Sequence, residues 1–385
     1  MTQKMDGIYM DYKSKKMYLF LMLLVMTSTI GLQAWRILFD NFAVLKVGLE
    51  GKHVGIIQSV REIPGFLALL AVYFLYFIKE HRLSSVSVFI MGIGVALTGF
   101  FPSFSGIIIT TLIMSFGFHY FETTNQSLTL QYFDKETAPI VFGKLRSIAS
   151  ASNIGIGLLL FIISSYFSFK SLYMMIGFFI VMGAIVALSM DPSREDLPIQ
   201  HNKMIFRKKY SLFYFLTFMA GARRQIFMAF SVFLLVKNFG FSVKEIAVLF
   251  LVNNIINYYL SPIIGKAIVR FGERKVLSLE YFFLIFIFTG YAFTKEKWMV
   301  ALLYIFDHIF FNFAIGIRTF FQKIADPKDI APSMAVSFTI NHIAAVFLPA
   351  LGGMLWMVDY RIPFLGGAVL SVISLIAVQK IRYER

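Results

Sequence analysis

Apolar stretches of roughly 17 to 25 residues, the length at which an α-helix crosses a bilayer, recur about twelve times along this chain. They lie near 17–45, 53–78, 84–101, 105–128, 140–165, 171–190, 210–236, 244–266, 276–293, 297–321, 331–357 and 362–380. Lipid offers backbone groups no hydrogen-bond partner, so a chain built this way must satisfy them inside helices. Composition agrees, because 58% hydrophobic against 15% charged residues leaves too little polar surface for a soluble fold. The expected fold class is an all-α polytopic membrane protein of about 12 transmembrane helices in two pseudo-symmetric six-helix bundles.

A net charge of +15 would suit a nucleic-acid binder, but the basic residues sit in short clusters between apolar spans and form no continuous basic face. They fall mainly on one side: Lys13, Lys15 and Lys16, then Lys79 and Arg82, Lys135, Arg194 with Arg207 to Lys209, Arg270 with Arg274 and Lys275, Lys323 and Lys328, and Lys380 to Arg385. The positive-inside rule makes that side cytoplasmic, with both termini on it. The run from Met17 is too long for a signal-peptide core and lacks an A-x-A-like site, so it reads as the first span. The longest hydrophilic segment divides the chain into an N-terminal six-helix bundle, 1–190, a cytoplasmic central linker, 191–209, and a C-terminal six-helix bundle, 210–385. One offset relates the halves: Gly48 to Gly240, Arg82 to Arg274 and Asp134 to Asp326 (240 − 48 = 274 − 82 = 326 − 134 = 192). These positions fall at equivalent helix ends, as expected of parallel repeats.

Polar side chains follow the same layout. The third, sixth and twelfth spans carry no charge in their apolar cores, and the ninth has only Glu280 near its cytoplasmic end, so these four read as lipid-facing supports. The remaining spans hold Gln33 and Arg36, Arg61 and Glu62, His119 and Glu122, Arg223 and Arg224, Asn253, Asn254 and Asn257, Asp307 and His308, and Asn341 and His342. A charge at the bilayer centre costs about 2.5 to 3.5 kcal/mol, so several together imply a protein-lined, water-accessible interior. Ser115, His119, Glu122 and Gln126 are spaced to share one face of the fourth span. Arg223 and Arg224 lie about 100° apart on theirs, so one of them points inward. Pro64-Gly65 and Pro349 are places for bends. Small residues at Ser147, Ala151 and Gly155, and at Ala345, Pro349 and Gly353, are expected to pack helices closely.

The segment GKAIVRFGERKV, 265–276, resembles the loop signature of the major facilitator superfamily, matching it at Gly265, Arg270, Gly272, Arg274 and Lys275. Val269 stands where the family has Asp, and Glu273 where it has a basic residue. The resemblance implies two bundles about a central cavity, alternating access, and a gating loop at Gly265, Arg270, Gly272 and Arg274. The fifth span lacks the Gly-Pro pair of the family's drug antiporters, and the fourth lacks a central Arg.

These features point to a secondary active transporter for a small anionic or zwitterionic solute, because Arg presents planar donors suited to carboxylate or phosphate. The expected substrate-binding residues are Gln33, Arg36, Arg61, Arg223, Arg224, Asn253, Asn257 and Asn341. The plainer role for these arginines is to neutralise Glu62, Glu122 and Asp307. Proton coupling is expected at Glu62, His119, Glu122, Asp307 or His342, groups that change charge when desolvated or near neutral pH. An efflux pump for amphipathic or cationic drugs is the alternative, favoured by 45 Phe and 19 Met. Enzyme motifs are missing: there is no H-E-x-x-H, no arguable Ser/His/Asp set and no phosphate loop, and the chain has 0 Cys. The expectation is therefore no enzyme, no cofactor, no metal and no nucleic-acid partner. It is a monomer in the cell (inner) membrane, with a small-molecule substrate, a proton and the lipid bilayer as partners.

Overall fold

The structure, a computed structural model, describes residues 3–5, 8–49, 51–201, 203–241 and 243–382. A short antiparallel hairpin, β1 (Gln3–Met5) and β2 (Ile8–Met10), precedes the helices. The first half then runs α1 (Tyr12–Leu45), α2 (Gly51–Phe66), α3 (Glu80–Thr98), α4 (Phe104–Tyr132), α5 (Ala138–Ile163) and α6 (Phe169–Ser189). The second runs α7 (Ser211–Phe239), α8 (Val243–Phe271), α9 (Glu273–Phe293), α10 (Lys297–Phe311), α11 (Ile330–Val358) and α12 (Arg361–Val378). Two helices are interrupted. Beyond Phe66, α2 passes through a 3-10 turn at Leu67–Leu70 into Ala71–Phe74, and α10 passes through Asn312–Ala314 into Ile315–Ile324. Among the described residues, eleven segments are long and apolar enough to cross a membrane, one from each helix except α11, which is itself 29 residues long.

Local chemistry explains the helix ends. Asp11, Ser103 and Ser168 each precede a helix and accept from a backbone N–H three residues on, at Ser14, Gly106 and Ser171. Gly240 closes α7 in the left-handed conformation, φ +64°, which a residue with a Cβ adopts only under strain. The break in α2 follows Pro64-Gly65, and Thr339 from the start of α11 fills it. Its hydroxyl donates to the Phe66 carbonyl (2.9 Å) and accepts from the Leu69 N–H (3.0 Å). Pro349 does not interrupt α11.

Two compact units form. The first comprises 1–134, 148–205 and 327–339, and the second 135–147, 206–326 and 340–385. In the first, close helix approach rests on glycines: a Cβ on Gly94 would collide with the Met114 backbone, on Gly117 with the Ser87 carbonyl, and on Gly177 with Ala96. In the second, Gly143 sits against the Ser261 carbonyl and Gly265 against that of Pro139, and the Ser147 hydroxyl donates to Tyr258 O (2.6 Å). Close approach therefore lies one turn earlier in α5 than expected. Nothing stands within 4 Å of a Cβ built on Gly155 or Gly353.

The repeat is visible in contacts as well as in sequence. At the start of α3, Arg82 donates to the Leu188 carbonyl at the end of α6. At the start of α9, Arg274 donates to Gln379 Oε1 just past α12 (3.1 Å). In each half an arginine at the head of the third helix secures the C-terminal end of the sixth, through an end carbonyl in the first and through the Gln379 side chain in the second.

Candidate functional site

In the first unit, a cluster of α1, α2 and α4 side chains is partly open to its surroundings. Arg61 and Glu62 are adjacent on α2 with side chains 18% and 25% exposed. Arg61 Nε and Nη2 both donate to Glu62 Oε1, at 3.2 and 2.8 Å, so half of the guanidinium fork is engaged. Its carbon lies 5.9 Å from the centre of the buried Trp35 ring, a cation–π geometry. One turn of α4 faces them. Ser115 Oγ donates to the Arg61 carbonyl, and His119 Nδ1 lies 2.9 Å from both the Oγ and the carbonyl of Ser115.

That network assigns the imidazole tautomer. The Ser115 hydroxyl proton is committed to Arg61 O and the Ser115 carbonyl is an acceptor, so Nδ1 carries a hydrogen. In a neutral His119 the lone pair is then on Nε2, 4.0 Å from Glu62 Oε2. A proton taken up on Nε2 would sit between an imidazole and a carboxylate. Farther along the same face, Gln126 Nε2 reaches Glu122 Oε2 at 3.5 Å.

The second unit holds a drier charged group. Arg223 on α7 is 1% exposed. It faces Glu280 Oε1 on α9 (Nη2, 3.7 Å), donates through Nη1 to Ser374 on α12, and lies 4.4 Å from the centre of the Tyr281 ring. Asp307 on α10 is fully buried, and neither carboxylate oxygen has a hydrogen-bond partner among the described residues. Asn253 is also buried, with both amide atoms unpartnered among them. Asn257 accepts from Asn312 (2.6 Å), and Arg146 donates to Asn312 Oδ1 (3.2 Å).

Of the residues picked from sequence, the structure thus brings together Arg61, Glu62 and His119, with Glu122 one turn on. Gln33 is half-buried and Arg36 exposed on α1. Arg224 is exposed while its neighbour Arg223 is sealed in. Asn341 donates to the Thr217 carbonyl (3.3 Å), and His342 is buried on α11. In the signature loop, Gly272 has φ +81° at the α8–α9 junction, and Arg270 lies over Phe271 at 5.2 Å. Glu273, the departure from the family pattern, is fully buried and receives Lys323 Nζ at 2.8 Å, so an ion pair is built there from different residues. Trp35, Ser374, Asn312 and Arg146 escaped the sequence reading. Glu280, which that reading puts on a lipid-facing support, is instead buried against Arg223.

Comparison with known proteins places these clusters in context. Residues 17–317 and 213–385 match the Major Facilitator Superfamily. No curated protein sequence matches the chain. Among solved structures, a bacterial homologue of the iron transporter ferroportin in the outward-facing state is similar at TM-score 0.78 and 13% identity, covering 94% of this chain and 98% of that one. The transporter FucP, in the outward conformation, gives 0.77 and 13%, over 97% and 100%. The human organic anion transporter MFSD10 gives 0.76 and 11%, over 95% and 99%. At these identities the likeness speaks for the fold.

Proposed function

Because the chain belongs to the Major Facilitator Superfamily, whose members are transporters and not enzymes, we propose that it is a secondary active transporter carrying a small anionic or zwitterionic solute by alternating access. It works as a monomer in the cell membrane with both termini cytoplasmic, and its halves, 1–190 and 210–385, rock about the linker 191–209. The observation that carries the solute class is Arg61: a partly exposed guanidinium against an indole face, with one edge taken by Glu62 and Nη1 left for a ligand. Carboxylate or phosphate fits that edge, and the adjacent Glu62 would favour a zwitterion's ammonium group. A structural neighbour that is an organic anion transporter is consistent with this class.

The coupling ion in this reading is a proton, received at His119 Nε2 beside Glu62. Protonation would draw Glu62 toward the imidazolium and loosen its hold on Arg61, linking proton occupancy to the anion site. The neighbour FucP is a fucose:proton symporter, which is consistent with such coupling.

The test is a thermal-shift screen of purified protein against monocarboxylates, dicarboxylates, amino acids, inorganic phosphate and neutral sugars at pH 5.5 and 7.5. The reading requires stabilisation by an anionic or zwitterionic class that is lost in Arg61→Gln. It fails if Arg61→Gln leaves ligand affinity unchanged. A second reading, efflux of amphipathic compounds, draws on a groove of about 440 Å³ in the first unit, lined by Ile37, Leu38, Leu160, Phe161, Phe167 and Phe169 among others. A drug-sensitivity panel with cells lacking and overproducing the protein separates the two.

A further inference from the structure

The central linker lies fastened to the first unit. Near its beginning, Arg194 binds Asp196 (2.5 and 3.2 Å), reaches the Ser14 hydroxyl (3.2 Å) and faces Asp11 (3.7 Å) at the start of α1. At its middle, the linker grips the segment that opens α11. The His201 N–H donates to the Lys328 carbonyl (3.0 Å), and His201 Nδ1 meets Asp329 Oδ1 at 2.9 Å. Gln200 uses both ends of its amide, donating to the Pro327 carbonyl (2.8 Å) and accepting from the Ala331 N–H (3.0 Å). Ala331 N–H is one of the first donors of α11, which have no partner within the helix. Asp329 is fully buried.

Eight residues beyond Ala331 (339 − 331 = 8), Thr339 occupies the break in α2. The segment 327–339 is therefore held at both ends by elements of the first unit, and it groups with that unit although it follows α10 in sequence. The repeat layout assigns the same residues to the second half. With the two halves rocking, the Thr339 contact with α2 is made in one state and broken in another, and the linker contacts hold the same segment.

We infer that Gln200 and His201 form a latch that holds the start of α11 against the first unit in the state seen here, and that the latch opens during the cycle. Opening removes four hydrogen bonds at the linker and withdraws Thr339 from the α2 break. This rests on the alternating-access reading, and the latch adds to it a device that sets how often the two states interchange.

The lack of cysteine in this chain makes the test clean. His201→Cys with Lys328→Cys pairs two positions joined by a backbone hydrogen bond and leaves Asp329 intact. Hydrogen exchange is followed at Ala331, inside the latch, and at Leu69, whose N–H depends on Thr339. Oxidation to the disulfide is expected to slow exchange at both sites about tenfold relative to the reduced protein. Gln200→Ala with His201→Ala is expected to speed both by a similar factor, about 1.4 kcal/mol. Equal exchange at Leu69 in oxidised and reduced protein overturns the inference. So does a double alanine variant that changes Ala331 alone, which would be local fraying, and so does failure of the disulfide to form. No solute is present in this experiment, so a failed solute screen and a failed latch are read separately.

Discussion

Gly48 and Gly240, 192 positions apart (240 − 48 = 192), share the left-handed backbone conformation, with φ of +71° and +64°. Each follows the first helix of its half, and nothing stands within 4 Å of a Cβ built on either. Conformation alone therefore demands glycine at both positions. Gly48→Ala and Gly240→Ala are each expected to cost about 1 to 2 kcal/mol, measured as a drop in thermal-unfolding midpoint. Asparagine, which tolerates this region, should cost less than alanine at both.

Glycines at helix crossings divide into two kinds with opposite signs. On Gly117 a methyl group meets the Ser87 carbonyl and the Met91 backbone, whereas on Gly155 it meets open space. Gly117→Ala is expected to destabilise by about 1 to 3 kcal/mol through overpacking. Gly155→Ala should be neutral or stabilising by up to about 1 kcal/mol, because alanine is the better helix former. Unfolding midpoints of the two variants, compared side by side, check the contrast.

Arg223 and Glu280 face each other at 3.7 Å with almost no exposure. Removing one partner strands the other charge, so Arg223→Met or Glu280→Leu alone should cost about 3 to 5 kcal/mol. The double variant should recover most of that loss, and a double-mutant cycle on unfolding midpoints reads the coupling. Additive losses would mean that the pair is not an interacting unit.

The linker's first half should respond to acid in a defined direction. The Asp11 carboxyl is held below its usual range chiefly by hydrogen bonds from Ser14, with Arg194 adding to them, and that of Asp191 by hydrogen bonds from Ser193. A carboxylate with a lowered folded-state pKa stabilises fully above its unfolded value, about 4, and loses that contribution as pH falls through the folded value. Protection of amides in the linker's first half, each exchange rate divided by its intrinsic rate at that pH, should be unchanged between pH 8 and 5 and should fall below about pH 4.

Much of this architecture was legible in the sequence because lipid imposes length and apolarity on every span. Helix positions follow from that constraint, and the 192-residue offset at Gly48 and Arg82 survives as matched backbone conformation and matched helix-end contacts. The His119 stripe was legible for the same reason, since helical spacing alone puts Ser115 and His119 on one face. What escaped was contact between helices far apart in sequence. Glu280 reads as a peripheral acid until α7 brings Arg223 to it, and no local pattern marks Gln200 and His201 as ligands for the start of α11. Glu273 looked like damage to a motif, yet it is the partner of Lys323, fifty positions on (323 − 273 = 50).

The most direct measurement of the central claim is uptake into proteoliposomes of whichever solute stabilises the purified protein, with and without an inside-alkaline proton gradient. The gradient should accelerate uptake by the unaltered protein, and Arg61→Gln should abolish saturable uptake in either condition. Uptake that ignores the gradient would contradict the proton's role, and undiminished uptake by Arg61→Gln would contradict the anion site itself.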